Sequence, residues 1–194
     1  MPEFIADTDG TVCNLQWSDL ADFTQGYLEA MLFTNTSCIP MTEWHTEESR
    51  EQVREGQADG DLPNDAGFGD LFPESFEAAQ MDCIAFEHKA HDLLMQAYAQ
   101  DYDRKQAGRD FWFTRNGHGV GFLDRKELEG PDCWKSFGSP KVGDPRWQEY
   151  VTARDDDLAH KLDAVARNFG EVYVSFSEED DDSSPTGYGF IYLQ

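Results

Sequence analysis

The chain has 194 residues and carries 39 Asp and Glu against 15 Lys and Arg, which gives a formal net charge of −24 at pH 7. This charge argues against direct binding to nucleic acid or to anionic membranes, because both need cationic surfaces, and it predicts a basic partner. Hydrophobic residues make up 39% and aromatic residues 13% of the chain, which is enough apolar surface for a folded core. We therefore expect a single domain over residues 1–194.

The composition also predicts the compartment. The chain has no run of about 18 consecutive apolar residues, as a membrane helix requires, and residues 1–10 are acidic where a signal peptide is basic and then apolar. The cysteines are too far apart for a CxxC pattern: Cys13, Cys38, Cys83 and Cys133. We predict a cytoplasmic protein with reduced thiols and without a cofactor.

Residues 1–108 form the acidic half of the chain, with 22 acids and 5 bases. The spacing of apolar residues predicts a first helix over residues 19–33, with Ser18 as its cap. Residues 35–72 show no period, which indicates a long loop with one short helix over residues 47–55.

The clearest helix begins at Pro73, and we expect it to run to Tyr98 as a rod about 38 Å long. Its apolar residues recur at alternating steps of three and four: Phe76, Ala79, Cys83, Phe86, Ala90, Leu93, Leu94 and Ala97. The opposite face and its flanks are acidic: Glu74, Glu77, Asp82, Glu87 and Asp92. This pattern predicts one core face and one acidic face.

An aromatic segment with the sequence DFWFTRNGHGVGFLDR begins at Asp110. Asn-Gly between aromatic-rich runs is a strong hairpin signal, because a type I′ turn needs positive φ at both central residues. A two-residue turn pairs Phe113 with Val120 and Phe111 with Phe122. These four side chains then share one face of the hairpin as a core layer.

The C-terminal part begins with residues 129–154, whose Pro, Gly and aromatic residues predict an irregular excursion. Residues 155–157 are three aspartates that open a helix, and Gly170 ends it. Alternating residues predict strands over 171–176 and 188–193, joined by an acidic loop.

The predicted order is therefore helix, helix, hairpin, helix, hairpin, which indicates an α+β fold. Residues 1–108 form its acidic helical part, and residues 109–194 form a ββαββ part interrupted by the excursion. The four strands are expected to form one mainly antiparallel sheet with the helices packed on one face.

The aromatic segment, the helix that ends at Asn168-Phe169-Gly170 and the closing strands resemble a family of small, acidic, uncharacterised proteins encoded by tailed bacteriophages. The resemblance covers roughly residues 74–128 and 155–194. It implies a phage origin and a host bacterial cytoplasm, but no catalytic residue. The excursion over residues 129–154 departs from the family pattern, in which the chain passes almost directly from hairpin to helix.

His118 and the pair His88 and His91 are the candidates for chemistry. His118 lies near Asp110 in sequence, as a general base with an orienting carboxylate would. The hairpin register places the two side chains on opposite faces, which favours turn capping or a partner contact for His118.

His88 and His91 have a spacing that supplies two metal ligands on a helix. A site needs a third ligand, for which the candidates are His45, His160 and Cys38. Because the pair lies off the apolar stripe, a solvated helix face is the favoured interpretation. We predict neither a metal site nor an enzyme, although a small enzyme that uses these histidines stays an alternative.

The favoured hypothesis is that the negative charge imitates DNA. Duplex DNA presents one negative charge per roughly 1.7 Å of axis, and acids three or four positions apart on a helix lie about 5–6 Å from one another. The expected partner is a basic DNA-binding host protein, such as a restriction enzyme or another defence factor. The predicted phosphate-mimicking acids are Glu47, Glu48, Glu51, Glu55, Asp59, Asp61, Glu74, Glu77, Asp82, Glu87 and Asp92.

Two further possibilities stay open at this point. An accessory phage protein would bind a host protein through aromatic residues of the excursion, for which Trp134, Phe137 and Trp147 are the candidates. A homodimer would lengthen the charged surface.

Overall fold

A computed structural model describes residues 10–44, 46–55, 60–119, 121–129, 138, 140–176 and 189–194. The helices of these residues are α1 (Asp22–Asn35), α2 (Glu47–Arg54), α3 (Pro73–Lys89), α4 (His91–Tyr98), α5 (Arg104–Arg115), α6 (Trp147–Asp156) and α7 (Leu158–Arg167). The strands are β1 (Thr11–Val12), β2 (Leu15–Gln16), β3 (Val174–Phe176) and β4 (Ile191–Leu193). Single turns of 3-10 helix lie at Trp17–Asp19, Phe68–Asp70, Phe122–Asp124 and Lys126–Leu128.

The predicted four-stranded sheet is wrong. In the described part of the chain the strands form two separate antiparallel pairs, β1 with β2 and β3 with β4, in a mainly helical α+β-like fold. The C-terminal hairpin is confirmed, because Val174 pairs with Leu193 and Phe176 with Ile191. Its predicted acidic loop lies outside the described residues.

The first predicted hairpin is also wrong, because its first strand is the helix α5. Phe111 is fully buried in α5, and Phe122 is fully buried in a 3-10 turn. Both rings stack on Phe86, with centroid distances of 4.2 Å and 5.8 Å. These residues therefore belong to the core as expected, but they reach it through helix packing instead of cross-strand pairing.

The Asn-Gly dipeptide ends α5 instead of turning a hairpin. Gly117 has a φ of +69°, and its N–H donates to the carbonyl of Thr114 at 3.4 Å. The N–H of His118 donates to the carbonyl of Phe113 at 3.0 Å. This pair of bonds is the Schellman motif, which needs a left-handed residue after the helix and so uses the same glycine that a type I′ turn would use.

Helices α1 and α5 pack with their backbones in contact. A Cβ atom at Gly26 would lie 1.9 Å from the carbonyl oxygen of Lys105, and one at Gly108 would lie 1.9 Å from that of Phe23. Trp112 adds a hydrogen bond across the pair, because its Nε1–H donates to Thr34 Oγ1 at 2.8 Å. The close crossing therefore depends on a glycine in each helix.

The predicted helix over residues 73–98 is interrupted at Ala90, whose φ of −97° and ψ of 10° separate α3 from α4. The single rod of about 38 Å is therefore wrong, and α3 alone spans about 25 Å. The predicted apolar face is confirmed: Phe76, Ala79, Cys83, Phe86, Ala90, Leu94 and Ala97 are buried.

The other predicted helices are present, with shifted ends. α1 begins at Asp22 because residues 17–19 form a 3-10 turn, and α2 matches its predicted segment. α7 begins after Asp157, whose Oδ1 accepts from the His160 N–H at 3.2 Å. The predicted excursion also ends early, because α6 begins at Trp147.

Candidate binding surface

The acids of α2 are presented to solvent. Glu47, Glu48 and Glu51 are all exposed, whereas Ser49 on the inner side is buried. Thr46 caps the helix, because its Oγ1 accepts from the Ser49 N–H at 3.2 Å. Two of the glutamates therefore lie in the first turn, where the positive end of the helix dipole favours carboxylates.

Of the other predicted surrogates near α2, Glu55 and Asp61 are exposed. Asp59 lies outside the described residues.

Two predicted surrogates on the flanks of α3 are paired with arginines of α5. Asp82 Oδ2 lies 2.8 Å from Nη1 of Arg115, and Glu87 Oε1 lies 4.0 Å from Nη1 of Arg104. Burial raises the pKa of Glu87, and the charge of Arg104 opposes this shift. These two acids therefore face cations of their own chain and are only partly exposed, and their role as phosphate surrogates stays a prediction.

Glu74, Glu77 and Asp92 are exposed, and no ion pair of the described residues includes them. Fourteen residues lie between Glu77 and Asp92, and all but two of them belong to α3. The exposed positions in this interval include Met81 and Ile84. The acids of this face are therefore grouped at its two ends.

Nine of the eleven basic side chains that the structure describes from α5 onward are engaged in ion pairs within the chain. Glu29 of α1 accepts from both Lys105 at 2.5 Å and Arg109 at 2.7 Å. The other pairs are Arg146 with Asp144, Arg154 with Asp155, Lys161 with Asp156 and Arg167 with Asp163. Residues 43–92, in contrast, hold 14 acids and 3 bases.

Asp110 lies at the centre of a buried hydrogen-bond network. Its carboxylate accepts from Tyr102 Oη at 2.5 Å, from Gln106 Nε2 at 3.0 Å and from both Nε and Nη2 of Arg125. Burial raises the pKa of Asp110, and the guanidinium of Arg125 opposes this shift. The network fixes the 3-10 turns after α5 to the body of that helix.

His118 is exposed and is not brought to Asp110, whose carboxylate is occupied by this network. Its ring lies against Trp112 and Phe113, with centroid distances of 6.4 Å to each. The expected absence of a direct bond between His118 and Asp110 is met, although the cause is a helix and not a hairpin register.

His88 and His91 are both exposed, one near the end of α3 and one at the start of α4. Among the residues that the structure describes, no group of three His, Cys, Asp or Glu side chains has an arrangement suited to a metal ion. Of the candidate third ligands, His160 contacts Asp157 at 3.3 Å, and His45 lies outside the described residues.

The sequence did not reveal the role of Arg115, which is buried in α5 with 5% exposure. Its guanidinium donates to Tyr27 Oη at 3.0 Å, to Asp82 at 2.8 Å and to the carbonyls of Phe169 and Gly170. Arg115 therefore ties the segment after α7 to α1 and α3. No local pattern marks such a residue, because its partners are 33 to 88 positions away.

An open depression of about 500 Å³ lies beside this arginine. Its lining residues are Arg115, Arg167, Gly170, Glu171 and Tyr173. Four of the guanidinium N–H groups of Arg115 already have acceptors, and Arg167 pairs with Asp163. The depression therefore offers little free positive charge to an anionic ligand.

The aromatic anchors of the excursion are only partly covered by the structure. Trp147 is half-buried and packs against Tyr150, with a centroid distance of 5.7 Å. Trp134 and Phe137 lie outside the described residues.

Comparisons of the chain with protein-family models, with curated proteins and with solved structures found no match. Over the described segments, no helix combines the length and the apolar character that crossing a bilayer requires.

Proposed function

We propose that this chain is an acidic inhibitor that imitates the phosphate array of DNA and occupies the cationic DNA-binding site of another protein. The resemblance to phage proteins makes the proposed setting the cytoplasm of an infected bacterium. The proposed target is a restriction enzyme or another host defence factor that binds DNA.

One observation supports this proposal above the others. Nine of the eleven described basic side chains from α5 onward are paired with acids of the same chain, whereas Glu47, Glu48 and Glu51 of α2 are exposed. An acidic composition selected for solubility alone would not require this separation. We define the acidic surface as the predicted surrogates that are fully exposed: Glu47, Glu48, Glu51, Glu55, Asp61, Glu74, Glu77 and Asp92.

The spacing on α2 suits a phosphate-binding cleft. Glu51 is three positions from Glu48 and four from Glu47, so the three carboxylates lie on neighbouring turns about 5–6 Å apart. A cationic cleft would be steered to such a surface over long distances, and binding would release counterions from both partners. Affinity gained in this way falls steeply as salt is added.

The test is displacement of bacterial DNA-binding proteins from duplex DNA immobilised on cellulose. The purified protein is added at increasing salt, and the released proteins are identified by mass spectrometry. We expect release of a defined DNA-binding protein at low salt and its loss as the salt concentration rises. If no DNA-binding protein is released at any salt concentration, the proposal is wrong.

A matched pair of variants separates the acidic surface from charge in general. The test variant carries Glu47→Gln, Glu48→Gln and Glu51→Gln. The control carries Glu127→Gln, Glu149→Gln and Glu171→Gln, which are three exposed glutamates outside the acidic surface. We expect the test variant to need about tenfold more protein for the same release, and the control to behave like the original chain. Equal loss in both would show that position does not matter.

A further inference from the structure

The outward face of α3 carries a stripe with a regular spacing of three and four residues. Its members are Glu74, Glu77, Met81, Ile84 and His88, and His91 at the start of α4 continues the spacing. All six are exposed, and the exposed fractions of Met81 and Ile84 are 63% and 52%. Residues with this spacing line the contact between two paired helices, yet here they face solvent instead of the core.

The stripe is chemically symmetric about its centre. Two carboxylates lie four and seven positions before Met81, and two imidazoles lie four and seven positions after Ile84. When a second α3 is laid antiparallel with a two-fold axis between Met81 and Ile84, Met81 faces Ile84 of the second copy. In this register Glu77 faces His88 of the second copy. A parallel pair would instead place carboxylate against carboxylate.

We infer that the α3 stripe is the interface of a two-fold homodimer, with a second copy of this chain as its occupant. The centre buries Met81 and Ile84 from both copies, which removes apolar surface from water. Toward each end, an imidazole N–H donates to a carboxylate, which it can do in either protonation state. Each contact occurs twice, as two-fold symmetry requires.

The size and charge of the chain predict a weak dimer. The contact runs along one helix of about 25 Å and uses six side chains of each copy. A standard protein interface buries about 1,600 Å² and uses about 20–30 residues of each partner. Two molecules of charge −24 also repel each other, but salt screens this repulsion beyond about 8 Å at physiological ionic strength. Dimer formation is therefore strengthened by salt, in contrast to binding of the proposed cationic target.

This inference goes beyond the proposed function, because neither depends on the other. The dimer covers Glu74 and Glu77, so in the dimer the acidic surface is reduced to its other members, and the proposed function then rests on the acids of α2, which the dimer does not require. Loss of dimer formation with intact displacement from DNA-cellulose would therefore overturn only the dimer, and the reverse result would overturn only the proposed function.

Sedimentation velocity of the full chain, from micromolar to millimolar protein at fixed salt, tests the dimer. We expect a monomer–dimer equilibrium that shifts toward dimer as salt is raised. The variant Met81→Glu/Ile84→Glu is expected to raise the dimer Kd by at least about tenfold, because it places four carboxylates at the centre. A monomer at every concentration overturns the inference.

Two controls fix the register. Met95→Glu adds a charge to an exposed position of α4 beyond the paired segment, and we expect it to leave the Kd within about threefold of the original. His88→Glu places two carboxylates opposite each other and should weaken the dimer, whereas Glu77→Lys/His88→Glu should restore it. Failure of the double variant to restore the dimer, with circular dichroism showing an unchanged fold, overturns this register.

The other occupant to exclude is a basic amphipathic helix of another protein. The probe is a synthetic helical peptide of leucine and lysine, with leucine at the seam positions. If the peptide binds the monomer through Met81 and Ile84 while no dimer forms, the stripe is a docking site for such a helix and the homodimer is wrong.

Discussion

The acids of this chain fall into two classes that differ in what surrounds them. Around α5, Glu29, Asp82 and Asp110 each lie at hydrogen-bond distance from an arginine or lysine, and Glu29 and Asp110 are buried. On α2, Glu47, Glu48 and Glu51 are exposed. The same residue types therefore form stabilising ion pairs in one region and carry solvent-exposed charge in the other.

This difference shows that a total charge alone does not describe an acidic protein. Ion pairs within the chain use the positive charge near α5. Residues 43–92, with 14 acids and 3 bases, carry −11 of the net charge of −24. The two classes make opposite predictions when a charge is removed. Neutralising an ion-paired acid should destabilise the fold, and neutralising a solvent-exposed acid should not.

The largest effect is expected for Asp110→Asn. The substitution keeps the shape of the side chain but leaves the guanidinium of Arg125 in a largely buried site without its counter-charge, so we expect a loss of about 3 kcal/mol in the free energy of unfolding. Urea denaturation measures this loss. The double variant Asp110→Asn/Arg125→Gln should recover part of it, because no charge is then left unpaired. If Asp110→Asn is as stable as the original chain, the ion pair between Asp110 and Arg125 does not stabilise the fold.

A smaller loss is expected for Glu29→Gln at the α1–α5 crossing. Glu29 is buried and accepts from Lys105 and Arg109. A hydrogen bond to a charged group contributes about 2 kcal/mol net to the free energy of unfolding. The free energy of unfolding should fall by about that amount. As a control, Gly108→Ala tests the same crossing by steric contact and should also destabilise it, since a Cβ there meets the Phe23 carbonyl.

Periodic segments of the fold were predictable from the sequence, and this crossing shows why others were not. The buried apolar face of α3 and the aspartate cap of α7 each carry a local sequence pattern that tertiary packing preserves. Phe111, Trp112 and Phe113 are consecutive and all buried, so they have no period that separates a helix from a strand. The approach of Gly26 to Gly108 favours the helix, and it joins positions far apart in sequence.

The prediction of a strand in place of α5 also affected the candidate surface. The exposure of the α2 acids was predictable, because Val53 is the only apolar residue in the sequence from Glu47 to Glu55. The pairing of Asp82 with Arg115 and of Glu87 with Arg104 was not, since both arginines lie on α5, a helix that the sequence analysis did not predict. One Asp-x-x-Gln pattern could have revealed α5, because Asp103 caps it by accepting from the Gln106 N–H at 2.9 Å.

An intermediate case is Asp163→Asn on α7. Its partner Arg167 lies one turn later at 2.7 Å, but the arginine is 58% exposed, so solvent screens the pair. We expect a loss of about 0.5 kcal/mol in the free energy of unfolding, which should shrink further at high salt. A loss as large as that of Glu29→Gln would remove the distinction between buried and surface pairs.

The smallest effect on stability is expected for Glu47→Gln/Glu48→Gln/Glu51→Gln, although its effect on displacement from DNA should be the largest. The three carboxylates repel one another and the remaining negative charge, while their place at the N-terminal half of α2 favours them through the helix dipole. These contributions oppose each other, so the free energy of unfolding should stay within about 0.5 kcal/mol of the original. Urea denaturation at low and high salt measures the balance. A loss above that range would mean that these acids hold the fold together, and the contrast between the two classes of acid would then fail.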